Sequence, residues 1–137
     1  MTIQIPKQQK KEMLSWLLEG LPNEACGLLA GVRQDNAIAV KKFYGMHNVD
    51  ESSTHFSMDA REQFAVMKEI RENGYMLLAN VHSHPDTKAE PSEEDKRLAY
   101  DSGIIYLICS FMEKEPVVKA YRIIDRKRVS KVSIQYE

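Results

Sequence analysis

The segment Asn80-Val81-His82-Ser83-His84-Pro85 holds two imidazoles separated by one residue. The apolar-leaning run Met76 to Val81 before it reads as a buried strand. Side chains on a strand alternate between faces, so His82 and His84 point the same way and offer two metal ligands on one side. Pro85 has no N–H and should end the strand there. Seven residues separate His84 from Ser92-Glu93-Glu94-Asp95. Ser92 with Asp95 three positions on suits a helix N-cap, in an acidic variant of the capping box, and the acidic run suits the positive end of a helix dipole. That local role is compatible with Asp95 facing the histidines from the helix's first turn. Two His and one Asp with a fourth position open is the ligand pattern of a catalytic zinc. Structural zinc is closed by four ligands, usually including Cys.

The spacing His82-Ser83-His84, seven residues, Ser92, two residues, Asp95 resembles the JAMM motif of the MPN-plus metalloenzymes. That motif also has an upstream glutamate. Glu24, within Pro22-Asn23-Glu24-Ala25-Cys26-Gly27-Leu28-Leu29, is similar to it in context and chain order. The resemblance spans essentially the whole chain. It implies Zn²⁺ held by His82, His84 and Asp95, with Glu24 as general acid–base and Ser92 as a hydrogen-bond donor to the oxyanion. The reaction implied is amide hydrolysis without a covalent acyl-enzyme. The fold implied is α/β: an α-β-α sandwich with a mixed central sheet, like that of cytidine deaminases.

Peptidase members of this family act next to the C-terminal Gly-Gly of ubiquitin or ubiquitin-like proteins. For a compact chain the resemblance implies a ubiquitin-like sulfur-carrier protein as partner, with cleavage beyond its diglycine. A tail without side chains can thread a narrow groove beside a metal and pair with a strand edge. A non-catalytic MPN scaffold is an alternative, although such members usually lack the ligands present here. Another is a nucleic-acid metalloenzyme, since a DNA-repair-associated family carries a similar motif. A net charge of −1 and the lack of a strong basic-aromatic stripe argue against nucleic acid.

With 137 residues the chain fits one domain, 1–137. Cys26 and Cys109 form no Cys-x-x-Cys pair, which argues against a zinc finger or thioredoxin-like motif. Residues 1–12 lack the apolar core of a signal peptide, and no apolar run approaches the length of a membrane-spanning helix. A reduced, cytoplasmic protein is the expectation, with no membrane partner.

The elements that must position the site follow from periodicity and breakers. Thr2 to Ile5 alternates as a short strand. Pro6 opens a helix to about Glu19, with Met13, Leu14, Trp16, Leu17 and Leu18 as its apolar face and Gly20 as its stop. Trp16 reads as core rather than as a binding platform. Ala25 to Gly31 and Ile38 to Tyr44 form a hairpin across Asp35-Asn36. A polar loop follows from Gly45 to Ser53, then a short strand at Thr54 to Ser57. Asp59 caps a helix from Ala60 to about Asn73, with Phe64, Met67 and Ile70 on one face and Gly74 after it. The Ser92 helix is expected to reach about Ser102. Ile104 to Cys109 is an apolar strand, and Val117 to Ile124 and Arg128 to Tyr136 pair across Asp125-Arg126-Lys127.

Several other residues invite chemical readings. His47 and His55 lie far upstream without ligand-like spacing. Cys26 resembles a nucleophile by position only, and its apolar neighbours suggest a small buried residue. Asp86 after His84-Pro85 suggests a metallo-β-lactamase pattern, but Thr87 stands where that pattern needs His. The cluster Lys119, Arg122, Arg126, Lys127, Arg128 and Lys131 reads as a solvated hairpin.

Overall fold

The computed structural model describes residues 1–137. In chain order the elements are β1 (Thr2–Ile5), α1 (Lys7–Glu19), β2 (Cys26–Gln34), β3 (Ala37–Met46), α2 (Ala60–Glu72), β4 (Met76–His84), α3 (Glu93–Arg97), β5 (Ile105–Ser110), β6 (Val117–Ile124) and β7 (Arg128–Tyr136). The seven strands form one closed sheet in the order β1-β3-β2-β4-β5-β6-β7. The sheet is mixed. β1 runs parallel to both β3 and β7, β4 runs parallel to β5, and the remaining pairs are antiparallel.

The expected α-β-α sandwich is therefore corrected in one respect. Helices lie on both faces of a mixed sheet, but β1 joins the two edges by pairing Ile3 with Ile38 on one side and with Ile134 on the other. Ile3 and Ile5 are fully buried, so hydrophobic burial of this short alternating strand favours the closed arrangement. The interior cluster draws on every strand, including Leu29, Val40, Val81, Leu107, Ala120 and Val132, and on Met13 and Leu17 of α1. α2 packs Ile70 against Cys26, Leu28, Ala30, Tyr44 and Met46 on the opposite face.

Four local expectations change. In α1, Met13 and Leu17 are buried, whereas Trp16 and Leu18 are exposed, so Trp16 is not core. Its indole N–H instead donates to the Cys26 carbonyl at 2.9 Å. Its ring lies so close to Gly45 that a Cβ there would stand 2.5 Å from it. In α2, Val66, Met67 and Ile70 pack inward while Phe64 is exposed, because the buried stripe is rotated relative to the Phe64–Met67–Ile70 row. α3 has only five residues. Beyond it the Asp101 carboxylate accepts the Gly103 N–H at 2.8 Å, a local turn that competes with further helix. Ala99 and Ile104 fold down onto Tyr106 and Ile123.

Thr54 to Ser57 is not a strand, and only an isolated bridge joins Asn48 to Met58. The loop is organised by a side chain instead. Asn48 donates to the carbonyls of Glu24 and His55 and accepts from the N–H groups of Asp50 and Ser57. The terminal hairpin follows the expected bounds, with Asp125 and Arg126 at positive φ in its turn. No helix is long and apolar enough to cross a membrane.

Candidate functional site

β4 places Val81 in the interior and turns His82 and His84 to the opposite face. Both imidazoles are nearly inaccessible, at 3% and 4% exposure. Their Nε2 atoms stand 3.2 Å apart. Asp95 Oδ2 lies 3.2 Å from the first and 3.1 Å from the second. The strand's two-residue period thus produces the convergence expected of it.

Each member is held from behind. The His84 Nδ1–H donates to the Lys88 carbonyl at 2.8 Å, which fixes the ring with Nε2 turned to the centre. The His82 ring stacks on Phe56 at 4.8 Å between centroids. Asp95 sits in the first turn of α3, where its Oδ2 accepts the Ser92 N–H at 2.9 Å and Ser92 Oγ accepts the Asp95 N–H at 3.0 Å. This reciprocal capping box orients the carboxylate as well as starting the helix.

The donor set fits a small divalent cation. Two imidazoles and a carboxylate are borderline-to-hard ligands suited to zinc. Their mutual separations of 3.1–3.2 Å are close to the roughly 3.3 Å edge of a tetrahedron with bonds of about 2.0–2.1 Å. His82, His84 and Asp95 are also the group of three in this chain placed to share an ion.

Glu24 lies just before β2. Ala25 and Ser83 exchange two hydrogen bonds of 2.9 Å, one through the Ser83 hydroxyl, and this register sets Glu24 beside His84. Its N–H donates to the Ser52 carbonyl at 2.8 Å, and its own carbonyl accepts from Asn48 at 2.9 Å. Both anchors are main-chain, so the carboxylate, on a residue only 6% exposed, is left without a protein hydrogen bond.

The electrostatics of the two acids diverge. Burial pushes the Glu24 carboxyl up to about 8, with Asp95 and Glu94 adding to the rise and His84 opposing it. Burial also acts against the Asp95 anion, but hydrogen bonds to His82 and His84 outweigh it and hold that carboxyl well below the usual range. For His84, burial favours the neutral ring, yet the Asp95 and Lys88 hydrogen bonds leave its pKa raised.

Two hollows flank the centre. A cleft of about 270 Å³ holds Glu24 together with Trp16 and Asn48. A tighter, mainly apolar pocket of about 50 Å³ lies beside His82 and Asp95, walled by Phe56, Leu98 and Tyr106. Asn48, Phe56 and the Lys88 carbonyl are site-forming groups absent from the sequence expectations. Only Asn48 left a signal, as an Asx turn two residues before Asp50.

The other histidines stay apart. His47 and His55 are exposed, and His55 faces Asp50 at 3.8 Å. Both cysteines are buried free thiols that burial pushes up to about 12, so neither is a ready nucleophile. In the basic hairpin, Arg128 pairs with Asp125 and Arg126 covers the Tyr100 ring.

A family described as prokaryotic homologs of the JAB domain matches residues 6–124. A CysO-cysteine peptidase of Mycobacterium tuberculosis is 30% identical over 105 residues, which cover 76% of this chain and 70% of that protein. A desampylase of Haloferax volcanii is 33% identical over 90 residues, covering 65% of this chain and 63% of its own. The solution structure of protein DSY2949 from Desulfitobacterium hafniense is 45% identical, with a TM-score of 0.89, over 100% of this chain and 93% of that one.

Proposed function

Because this chain belongs to the family of prokaryotic homologs of the JAB domain, we propose that it is a zinc-dependent peptidase. In this reading it hydrolyses the amide bond after the C-terminal diglycine of a ubiquitin-like or sulfur-carrier protein. The observation that carries the proposal is the convergence of three buried or half-buried donors within 3.2 Å, beside a carboxyl whose burial raises it to about 8. Relatives named as a CysO-cysteine peptidase and a desampylase support the peptidase class.

A zinc ion held by His82, His84 and Asp95 would supply Lewis acidity, polarising the scissile carbonyl and bringing the pKa of a water toward about 7. Glu24 then takes the proton from the attacking water and returns it to the leaving amine as the C–N bond breaks. A carboxyl poised near neutral pH suits both transfers. Ser92 Oγ uses a lone pair to cap α3, so its O–H remains available to donate to the oxyanion. Lys88 and Phe56 hold the two imidazoles in place, and the Ser92 N–H holds Asp95.

A diglycine tail would lie along walls such as Phe56 and Leu98, beside His82 and Asp95.

The test is incubation of zinc-loaded protein with diglycine-ended carriers bearing C-terminal extensions, read by intact mass. Release of the extension from the Gly-Gly carrier, and at least about tenfold slower release from Gly→Ala tails, is expected. Equal cleavage of all tails, or of the isolated tail peptide, would overturn the carrier specificity.

A further inference from the structure

Asn80 holds a buried oxygen that nothing in the chain satisfies. The residue lies two positions before His82, on the same face of β4, and it lines the hollow beside His82 and Asp95. Its Oδ1 is buried and has no hydrogen-bond partner. The surroundings offer none. Asn80 stands opposite Leu28 on one side and Tyr106 on the other, and Phe56 and Ile108 add apolar walls to the hollow. The Tyr106 hydroxyl is already committed to the Asp101 carbonyl at 2.9 Å. A buried amide oxygen without a donor carries a desolvation penalty that a leucine in the same place would not. The polar group therefore needs a partner from outside the chain, and it meets one only through the hollow that adjoins the three donors.

We infer that Asn80 is a tail-binding residue, whose side-chain amide hydrogen-bonds a main-chain peptide link at the diglycine of the substrate. The inference rests on the peptidase reading. The rise of the strand sets Asn80 roughly 7 Å behind His82, the span of two extended residues. A tail with its scissile carbonyl at the centre of His82, His84 and Asp95 thus brings the link into the diglycine, or the link within it, level with Asn80. Its direction follows from Glu24, which protonates the leaving amine. Glu24 stands beside His84 and lines the other hollow, so the amine departs on that side and the acyl tail lies on the His82 side. Rotation about χ2 exchanges the two ends of the Asn80 amide, so it can donate to a carbonyl or accept from an N–H. Such a bond reads main chain rather than side chains. The walls supply the selection for glycine, since about 50 Å³ between them suits links that carry no Cβ.

The first test is binding without turnover. In zinc-loaded, ¹⁵N-labelled protein, millimolar acetyl-Ala-Gly-Gly should shift the Asn80 side-chain NH₂ signals saturably. Asn80→Ala, followed through neighbouring signals, should bind the peptide about fivefold more weakly, the scale of one neutral hydrogen bond. Replacing a peptide link by an ester removes the N–H and weakens the carbonyl as an acceptor. At one of the two links, Ala-Gly or Gly-Gly, the ester should cost the wild type about fivefold and cost Asn80→Ala nothing further. The second test is turnover of the extended diglycine carriers: KM should rise about fivefold in Asn80→Ala with kcat nearly unchanged. Asn80→Ala and Asn80→Leu should both keep their zinc and the wild-type Tm, because the oxygen they remove has no partner in the chain. A lower Tm with lost zinc in both variants would make Asn80 structural and overturn the inference. So would the absence of a saturable shift, equal affinity of wild type and Asn80→Ala, or ester penalties undiminished in the variant. If the ester and the variant are coupled but no extended carrier is cut, the tail site stands and the peptidase reading fails. If carriers are cut without that coupling, the reading stands and Asn80 has no part in it.

Discussion

The entrance of β2 and the N-terminus of α3 each deliver one carboxylate to the same centre, and they treat it in opposite ways. At α3 the acid is surrounded by donors: two imidazoles and the Ser92 N–H converge on one oxygen of Asp95. At β2 the backbone of Glu24 is pinned on both sides, but its carboxyl receives nothing. The first arrangement stabilises an anion that can ligate a cation. The second destabilises the anion and leaves a group able to gain and lose a proton near neutral pH. Burial alone does not separate the two roles, since it opposes charge at both acids. Local hydrogen bonding decides between them.

The sharpest way to break this contrast is to remove the ligand side. Asp95→Ala and His82→Ala should each lose most bound zinc, read by metal analysis of the purified protein, and turnover should fall to background. Full occupancy in both variants would exclude this ligand set. The β2 side should respond differently: Glu24→Gln retains the metal and the fold but loses about 10²–10⁴-fold in kcat, the scale of a general base. Near-normal turnover with zinc confirmed would place the proton transfer on another group.

The smallest effect is in the stability of the metal-free protein. Folded Glu24 keeps its proton up to about pH 8, whereas in the unfolded chain it loses it near 4.5. The native state binds more protons in that window, so stability falls as pH rises through it, by at most about 1.4 kcal/mol per pH unit. The raised pKa of His84 acts in the same sense at its upper end, and the lowered pKa of Asp95 acts in the opposite sense in acid. Urea midpoints measured between pH 5 and 8 should show the slope flattened in Glu24→Gln. An identical slope in that variant would assign it to other groups.

Much of the centre was legible because its geometry is local. A two-residue period, a proline stop and a three-residue capping interval are short-range rules, and they pair His82 with His84 and Ser92 with Asp95; the resemblance joined the two pairs. Glu24 was identifiable only through resemblance, since nothing local in Asn23-Glu24-Ala25 says that Ser52 and Asn48 will hold it beside His84. Trp16 was misread for a related reason. Its place on an apolar helix row suggested core, but its partners are the Cys26 carbonyl and Gly45, ten and more residues away. Sheet closure was equally hidden, because period-two alternation says which face a strand buries but not which strands are its neighbours.

That closure has a kinetic side. β1 completes the ring only when residues near Ile3 meet residues near Ile134. Joining chain segments that far apart costs about 2 kcal/mol more loop entropy than closing a loop of about ten residues. Contacts of such long range form late and slow the search for the native state. Until β1 docks, the outer edges of β3 and β7 present unpaired N–H and C=O groups, each able to pair with another chain. The four residues of β1 therefore guard the nascent protein against self-association, a task unconnected with the chemistry on the far side of the sheet.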